Sequence, residues 1–261
     1  MDNFRITFGI ITSSGSNNHL CKIIESIRKQ GIPQNSYEII IVGSCGIQDE
    51  LDLRVITFDE TKRSMWITRK KNIITSEAKY ENIVYMHDYL SFADDWYNEF
   101  IMFGTDWDIC MNSIINTDGT RILDWMGLPD DPIYGNVLLP YGYEGSDGMY
   151  IPGNYWVAKK SVMLEFPLNE DFTWGEGEDI EWSKRVIGGF PPLWLKNRSD
   201  FISGLFTIKK HKYVVNSKSK VFSLKYKSFH PNFFLEYDMH SGNEARPLES
   251  TKENYKFLGF R

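Results

Sequence analysis

An α/β fold with a mostly parallel central sheet flanked by helices is what this sequence predicts, and three observations predict it. Short, mainly apolar runs recur in the first half of the chain, at 6–12, 37–42, 53–58 and 82–86, and read as buried strands. Between them lie stretches of helical period, so strand and helix alternate as in parallel βαβ units. The length, 261 residues, suits one large domain with a sizeable core, or such a domain with a short appendage.

Each element follows from local sequence. After the strand at 6–12, the polar cluster Ser13-Ser14-Gly15-Ser16-Asn17-Asn18 can cap a helix over 19–30, which Gly31-Ile32-Pro33 stops. The strand at 37–42 runs into Gly43-Ser44-Cys45-Gly46, and a shorter one covers 53–58. A helix over 66–78 sets Trp66, Ile67, Ile73 and Ile74 opposite Arg69, Lys70 and Lys71, and leads to the strand 82–86 that carries His87-Asp88-Tyr89. Asp94-Asp95-Trp96-Tyr97 opens another helix with its carboxylates as caps, and 108–115 is a further strand. From 116 to 149 the chain is rich in Gly, Pro, Asp and Tyr and has no clear period; so long an irregular stretch in a compact domain is usually functional or mobile. A strand at 150–157 is interrupted by Gly153-Asn154, a short helix spans 161–166, and another helix starts at Glu178-Asp179. Past residue 216 the pattern changes: 221–226 is one last strand or helix, 229–235 is aromatic and broken by Pro231, and 240–246 is polar. The expected division is a domain over 1–215 and an extension over 216–261 that closes over the site, packs on the sheet or pairs chains.

Composition excludes several classes. A formal charge of -6 with dispersed signs argues against nucleic acid, whose phosphates call for a basic footprint. The basic stretch 209–227 is the exception, readable as a solvated face, a membrane-surface patch or a diphosphate clamp. Cys21, Cys45 and Cys110 fit no zinc or redox spacing and read as reduced, mostly buried residues of a cytoplasmic protein. The N-terminal run alternates too strongly for a signal peptide, and nothing approaches the roughly twenty apolar residues of a membrane helix. Any membrane association is therefore expected through surface contact, and self-association stays open. Aromatics at 15% fall partly near predicted loops, where they suit stacking on planar or sugar rings.

Two acidic clusters, about ninety residues apart, carry the functional signal. Asp88 follows a buried strand, and ligands of open α/β sheets bind in the crevice outside the strands' carboxyl ends, so it is a candidate metal or phosphate-site residue. The second cluster, Trp174-Gly175-Glu176-Gly177-Glu178-Asp179, puts acids at a helix start behind a glycine turn that lets backbone approach a ligand. Helix-dipole stabilisation and a Glu181–Arg185 pair account for acids in a first turn. They do not account for a large aromatic beside two glycines.

With these residues on the page, the chain resembles the GT-A glycosyltransferases, in particular the family 2-like members, over about residues 4–215. The resemblance rests on the N-terminal strand with its small polar loop, the strand at 38–42, the Arg69-Lys70-Lys71-Asn72 helix, Asp88, and the segment from Asn169 to Asp179, whose acidic loop is its most specific part. It implies a GT-A, Rossmann-like, nucleotide-sugar-binding domain. Asp88 would hold a divalent cation, Mn2+ or Mg2+, on the donor diphosphate with His87 beside it. Tyr89 stands where such enzymes carry a second acid, so the cation would rely on one carboxylate, substrate phosphates and water. His211 would be the further metal ligand, with His230 in reserve. Arg69 and Asn72 would lie near the donor nucleotide, with Thr12 and Ser13 as pocket residues.

The chemistry needs charge stabilisation on a departing diphosphate and a base for the acceptor hydroxyl. Asp88 suits the first role and Asp179 the second, with Glu178 orienting the acceptor or exchanging roles. A single base opposite the leaving group implies inversion. Gly153 permits close approach to a donor sugar and Asn154 can read a hydroxyl, although a plain bulge is the competing reading. Trp174, Gly175 and Glu176 would meet the acceptor, and Trp125, Tyr134, Tyr141 and Tyr143 form a candidate acceptor-recognition region or lid. The expected partners are a nucleotide-sugar donor, with uridine diphosphate favoured, and a glycan or glycoconjugate acceptor. Two other classes stay open: a sugar nucleotidyltransferase, which should show a basic glycine-rich loop absent after the first strand, and a non-catalytic carbohydrate-binding or scaffold protein with a decayed site.

Overall fold

Eight strands build one twisted sheet, in a computed structural model that describes residues 4–13, 17–127, 137–143, 149–187 and 211–225 together with the backbone of 235–236 and 246–247. In chain order the elements are β1 (Ile6–Ile11), α1 (Asn17–Arg28), β2 (Tyr37–Val42), β3 (Leu53–Ile56), α2 (Ile67–Glu77), β4 (Asn82–His87), β5 (Leu90–Phe92), α3 (Trp96–Phe103), β6 (Ile109–Ile115), β7 (Met126–Gly127), β8 (Val137–Leu138), β9 (Met149–Tyr150), β10 (Tyr155–Lys159), α4 (Lys160–Glu165), α5 (Glu178–Ile187) and β11 (Tyr213–Ser223). The sheet order is β3-β2-β1-β4-β10-β6-β11-β5. β1 to β4 are mutually parallel, as the buried apolar runs require, whereas β10 runs antiparallel to both β4 and β6. The mostly parallel α/β class holds.

Alternation along β1 explains the layers. Phe8 packs with Phe92 and Trp96 on one face, while Gly9 faces α2 on the other. A Cβ on Gly9 would lie 2.3 Å from Ile74 Cγ2, so the missing side chain is what lets α2 settle onto the sheet. In register with Gly9 come Tyr85 and then Trp156, whose rings stack at 5.0 Å, and Trp182 of α5 covers Trp156 at 5.3 Å. α2 and α5 thus meet over one row of side chains near the carboxyl ends of β1 and β4. Burying rings of this size contributes on the order of 2–3 kcal/mol each.

Several expectations are corrected. The predicted strand at 150–157 is two strands: β9 joins β7 and β8 in a small separate sheet, β10 enters the main one, and Gly153-Asn154 is the crossing between them. β11 crosses residue 216, with a register shift between Asn216 and Lys220, and pairs with β6 and β5, so residues up to Ser223 join the main sheet. Beyond it, Leu235–Glu236 and Arg246–Pro247 pair antiparallel. Trp125 is buried against Tyr213, and the hydroxyl of half-buried Tyr141 bonds buried Asp124 at 2.7 Å; Tyr134 lies outside the described residues. Asp95 holds the N-cap position of α3 without a side-chain capping bond. Of the cysteines only Cys110 is buried; Cys21 is exposed. Lys212, Lys218, Lys220 and Lys225 of the basic stretch are exposed. No helix among the described residues is long and apolar enough to cross a membrane.

Candidate active site

The first half of the site forms where β1 and β4 end. Thr12, buried after β1, donates its hydroxyl to Asp88 Oδ2 at 2.6 Å. Lys70, 0% exposed, reaches the same place from α2: its ammonium donates to Thr12 O at 2.7 Å, to Ser13 Oγ at 2.8 Å and to Glu60. Five polar side chains, Thr12, Ser13, Glu60, Lys70 and Asp88, therefore gather at the strand ends where open α/β sheets bind ligands.

Gly153 is the hub of the second half. Its N–H donates to Asp179 Oδ2 at 2.8 Å, and its carbonyl accepts from Lys71 Nζ at 2.6 Å and lies 3.1 Å from His87 Nε2. That geometry puts the His87 proton on Nε2, since a carbonyl only accepts. A Cβ at Gly153 would stand 3.2 Å from both Asp179 Oδ2 and Glu178 Oε1, so both acids close on this residue. Asp179 also accepts from the Ile180 N–H at 2.9 Å. One residue, through its own N–H and C=O, thus links His87 at the end of β4 to Asp179.

Electrostatics of the pair follow from burial. Desolvation, then the neighbouring Asp179, pushes Glu178 up to about 7, against the pull of Lys71. Desolvation also raises Asp179, opposed by the Gly153 N–H and by Lys71. Lys71 is held down to about 8 by its own desolvation, countered by Glu178 and Asp179.

The remaining predicted residues divide sharply. Trp174 is 55% exposed, with its N–H bonded to Met65 O at 3.1 Å, and Gly175 takes φ 81°, a left-handed turn that glycine permits without strain. Glu176 is engaged by its own loop, accepting from Thr173 N at 2.6 Å and Thr173 Oγ1 at 3.0 Å. Arg69 pairs with Glu170 at 3.0 Å, and Asn72 exchanges bonds with Leu168 and Glu170; with Arg63, Trp66 and Thr68 they clamp the loop that leads to the acids. Their observed partners lie in that loop. Asn154 is 8% exposed and its Oδ1 has no hydrogen-bond partner among the described residues.

His211 is a correction. Lys159 of β10 pairs with Asn82, where β4 begins, and donates its N–H to Asp108 O at 3.0 Å, while His211 Nδ1 lies 3.3 Å from Asp108 Oδ2. His211 thus sits at the start of β4 and Asp88 just past its end; at about 3.3 Å per residue the strand's length separates them. They cannot share a cation. His230 lies outside the described residues.

Sequence reasoning missed Lys70 and Lys71, which it set on a solvent face, whereas they are 0% and 1% exposed. A signal was present: they follow Ile67 by three and four residues and precede Ile74, the spacing of a buried helical stripe. Among the described residues no group of three or more His, Cys, Asp and Glu converges as a cation cage. Asp88 is nonetheless a suitable single ligand, because its one bond among the described residues is to the Thr12 hydroxyl, and a hard cation can complete its shell with substrate phosphates and water.

No family model matches this sequence, and no curated protein matches it in sequence. Solved structures do match in fold. GalNAc-T7, solved with UDP, GalNAc and Mn2+, aligns with a TM-score of 0.59 at 13% identity, covering 87% of this chain and 45% of its own. TarS of S. aureus aligns at 0.54 and 10% identity, covering 85% of this chain and 37% of its own. The chain spans less than half the length of either protein. With its β1–β4 parallel core and antiparallel β10, the chain has the GT-A glycosyltransferase fold.

Proposed function

We propose that this protein is a glycosyltransferase that moves a sugar from a uridine diphosphate sugar to a hydroxyl of a glycan or glycoconjugate, with inversion at the anomeric carbon. The observation that carries the reading is Gly153, whose N–H and C=O join the Asp88 strand end, through His87, to Asp179 of the acidic pair. Asp179 takes the acceptor proton as the acceptor oxygen bonds the anomeric carbon and the bond to the diphosphate breaks, with the electron pair leaving on the nucleotide. Glu178 orients the acceptor. Thr12 and Ser13 line the nucleotide side, and Asp88 with His87 lies at the diphosphate. A divalent cation bound at Asp88, Mn2+ or Mg2+, would supply positive charge to the leaving group. Asn154 Oδ1, buried without a partner, accepts a donor-sugar hydroxyl, since an unmet buried acceptor is costly. Trp174 offers its exposed face to the acceptor ring. The UDP and Mn2+ bound by GalNAc-T7, which shares the fold, favour the uridine and cation assignments.

Thermal melts with UDP-, GDP- and TDP-sugars, each with and without Mn2+, test this directly. Saturation at a hundredfold over Kd stabilises a folded state by about 2.7 kcal/mol, a rise of about 5 °C or more for a domain of this size. The uridine nucleotide is expected to give that rise; a flat response to all three returns the scaffold reading. A second variant probes the hub. Gly153→Ala places a methyl 3.2 Å from both acids, and the bonds holding Asp179 leave it little room to yield. Donor hydrolysis is expected to fall by at least about tenfold with folding retained, since small misplacements of reacting groups carry large rate costs.

A further inference from the structure

Lys71 answers to none of the roles above, yet it is among the most buried charges in the molecule at 1% exposure. Its ammonium lies 4.5 Å from the centre of the Trp156 ring and 2.6 Å from Gly153 O, its one hydrogen-bond acceptor among the described residues. The opposite end of that same glycine is gripped by Asp179, with Glu178 alongside. Two carboxyl groups and one ammonium thus share a site closed off by Trp156 and Trp182, and without the ammonium the two acids would face each other in low dielectric. Tyr150 of β9 and His87 of β4 also face the group: burial and the two acids hold the Tyr150 hydroxyl protonated, and His87 Nε2 lies 3.1 Å from Gly153 O.

We propose that Lys71 is a positioning residue whose buried ammonium, anchored on Gly153 O, is the counter-charge that allows Glu178 and Asp179 to be ionised at the working pH. This rests on the transferase reading for its catalytic consequence but not for its charge balance. The three groups carry one net negative charge when all are ionised, and removing Lys71 leaves two. At an effective dielectric near 20, attraction across roughly 6–12 Å is large enough to move a carboxyl by about one to two pH units.

The test uses Lys71→Met, which keeps length and removes charge, and Lys71→Met/Glu178→Gln, which removes one charge of each sign. A buried carboxyl whose folded pKa is raised contributes stability that is complete below its ordinary value and is lost as pH rises through the folded value; for Glu178 that window runs from 4.5 to about 7. Without the ammonium the loss deepens and extends upward. Lys71→Met is therefore expected to melt near the wild type at pH 5 and progressively below it towards pH 8, and the double variant is expected to close most of that pH-dependent gap. A deficit equal at pH 5 and pH 8, or a double variant with the same widening gap, overturns the proposal in favour of simple packing. In donor hydrolysis the acidic limb of Lys71→Met should move up by about one pH unit with the donor KM unchanged. If the wild type turns over no nucleotide sugar, the transferase reading fails, and the melting series still decides the role of Lys71.

Discussion

Asp179→Asn is expected to lower kcat for transfer, or for slow hydrolysis of the donor, by about a hundred- to ten-thousandfold, the range a positioned general base supplies. The substitution is close to isosteric, and its amide oxygen can still accept from Gly153 N–H, so the loop and the donor pocket should survive. The nucleotide-induced rise in Tm should consequently match the wild type. In the wild type, turnover should fall as pH drops through about 7, because Glu178 is pushed up to about 7 and Asp179 is raised beside it, so the pair gains a proton there. The limb is a property of the pair, not of either residue alone. A variant within a few-fold of wild type would remove Asp179 as the base.

The second large effect is at Asp88. Asp88→Ala removes the bond from Thr12 that ties the ends of β1 and β4, together with the carboxylate offered to a cation. Donor hydrolysis in Mn2+ should drop by at least about a hundredfold, since electrostatic stabilisation of a leaving group is worth several kcal/mol. Asp88→Asn separates the two contributions, because its amide oxygen still accepts from Thr12 while the charge is gone. Equal losses in both variants, with the Mn2+-dependent part of the thermal shift abolished, would assign the effect to charge; full activity in Asp88→Asn would exclude a cation-binding role.

How much of this was legible in the residues differs by level. β2 falls at the expected 37–42, and α2 lies inside the expected 66–78, because continuous apolar runs and amphipathic spacing are local signals. β5 was not anticipated: three residues beside Asp88 are too few to show a period. The acidic loop was visible as a motif, and its clamp was not, since Arg63, Trp66 and Thr68 bond backbone carbonyls more than a hundred residues away in sequence. His211 looked plausible by spacing alone and lies at the wrong end of β4, because distance along a chain says nothing about which edge of a sheet a residue reaches.

By itself, then, the sequence determined the α/β class, the order of the first strands and helices, and the two acidic clusters, all written in stretches of about a dozen residues or fewer. Only the tertiary structure decided that β10 inserts antiparallel beside β4, that α2 presses onto Gly9 and buries Lys70 and Lys71, and that Gly153 stands between the acids and the strand end. The physical reason is that each of these depends on which distant segments exclude water together, and a missing side chain such as that of Gly9 acquires its meaning only from the helix that occupies the space.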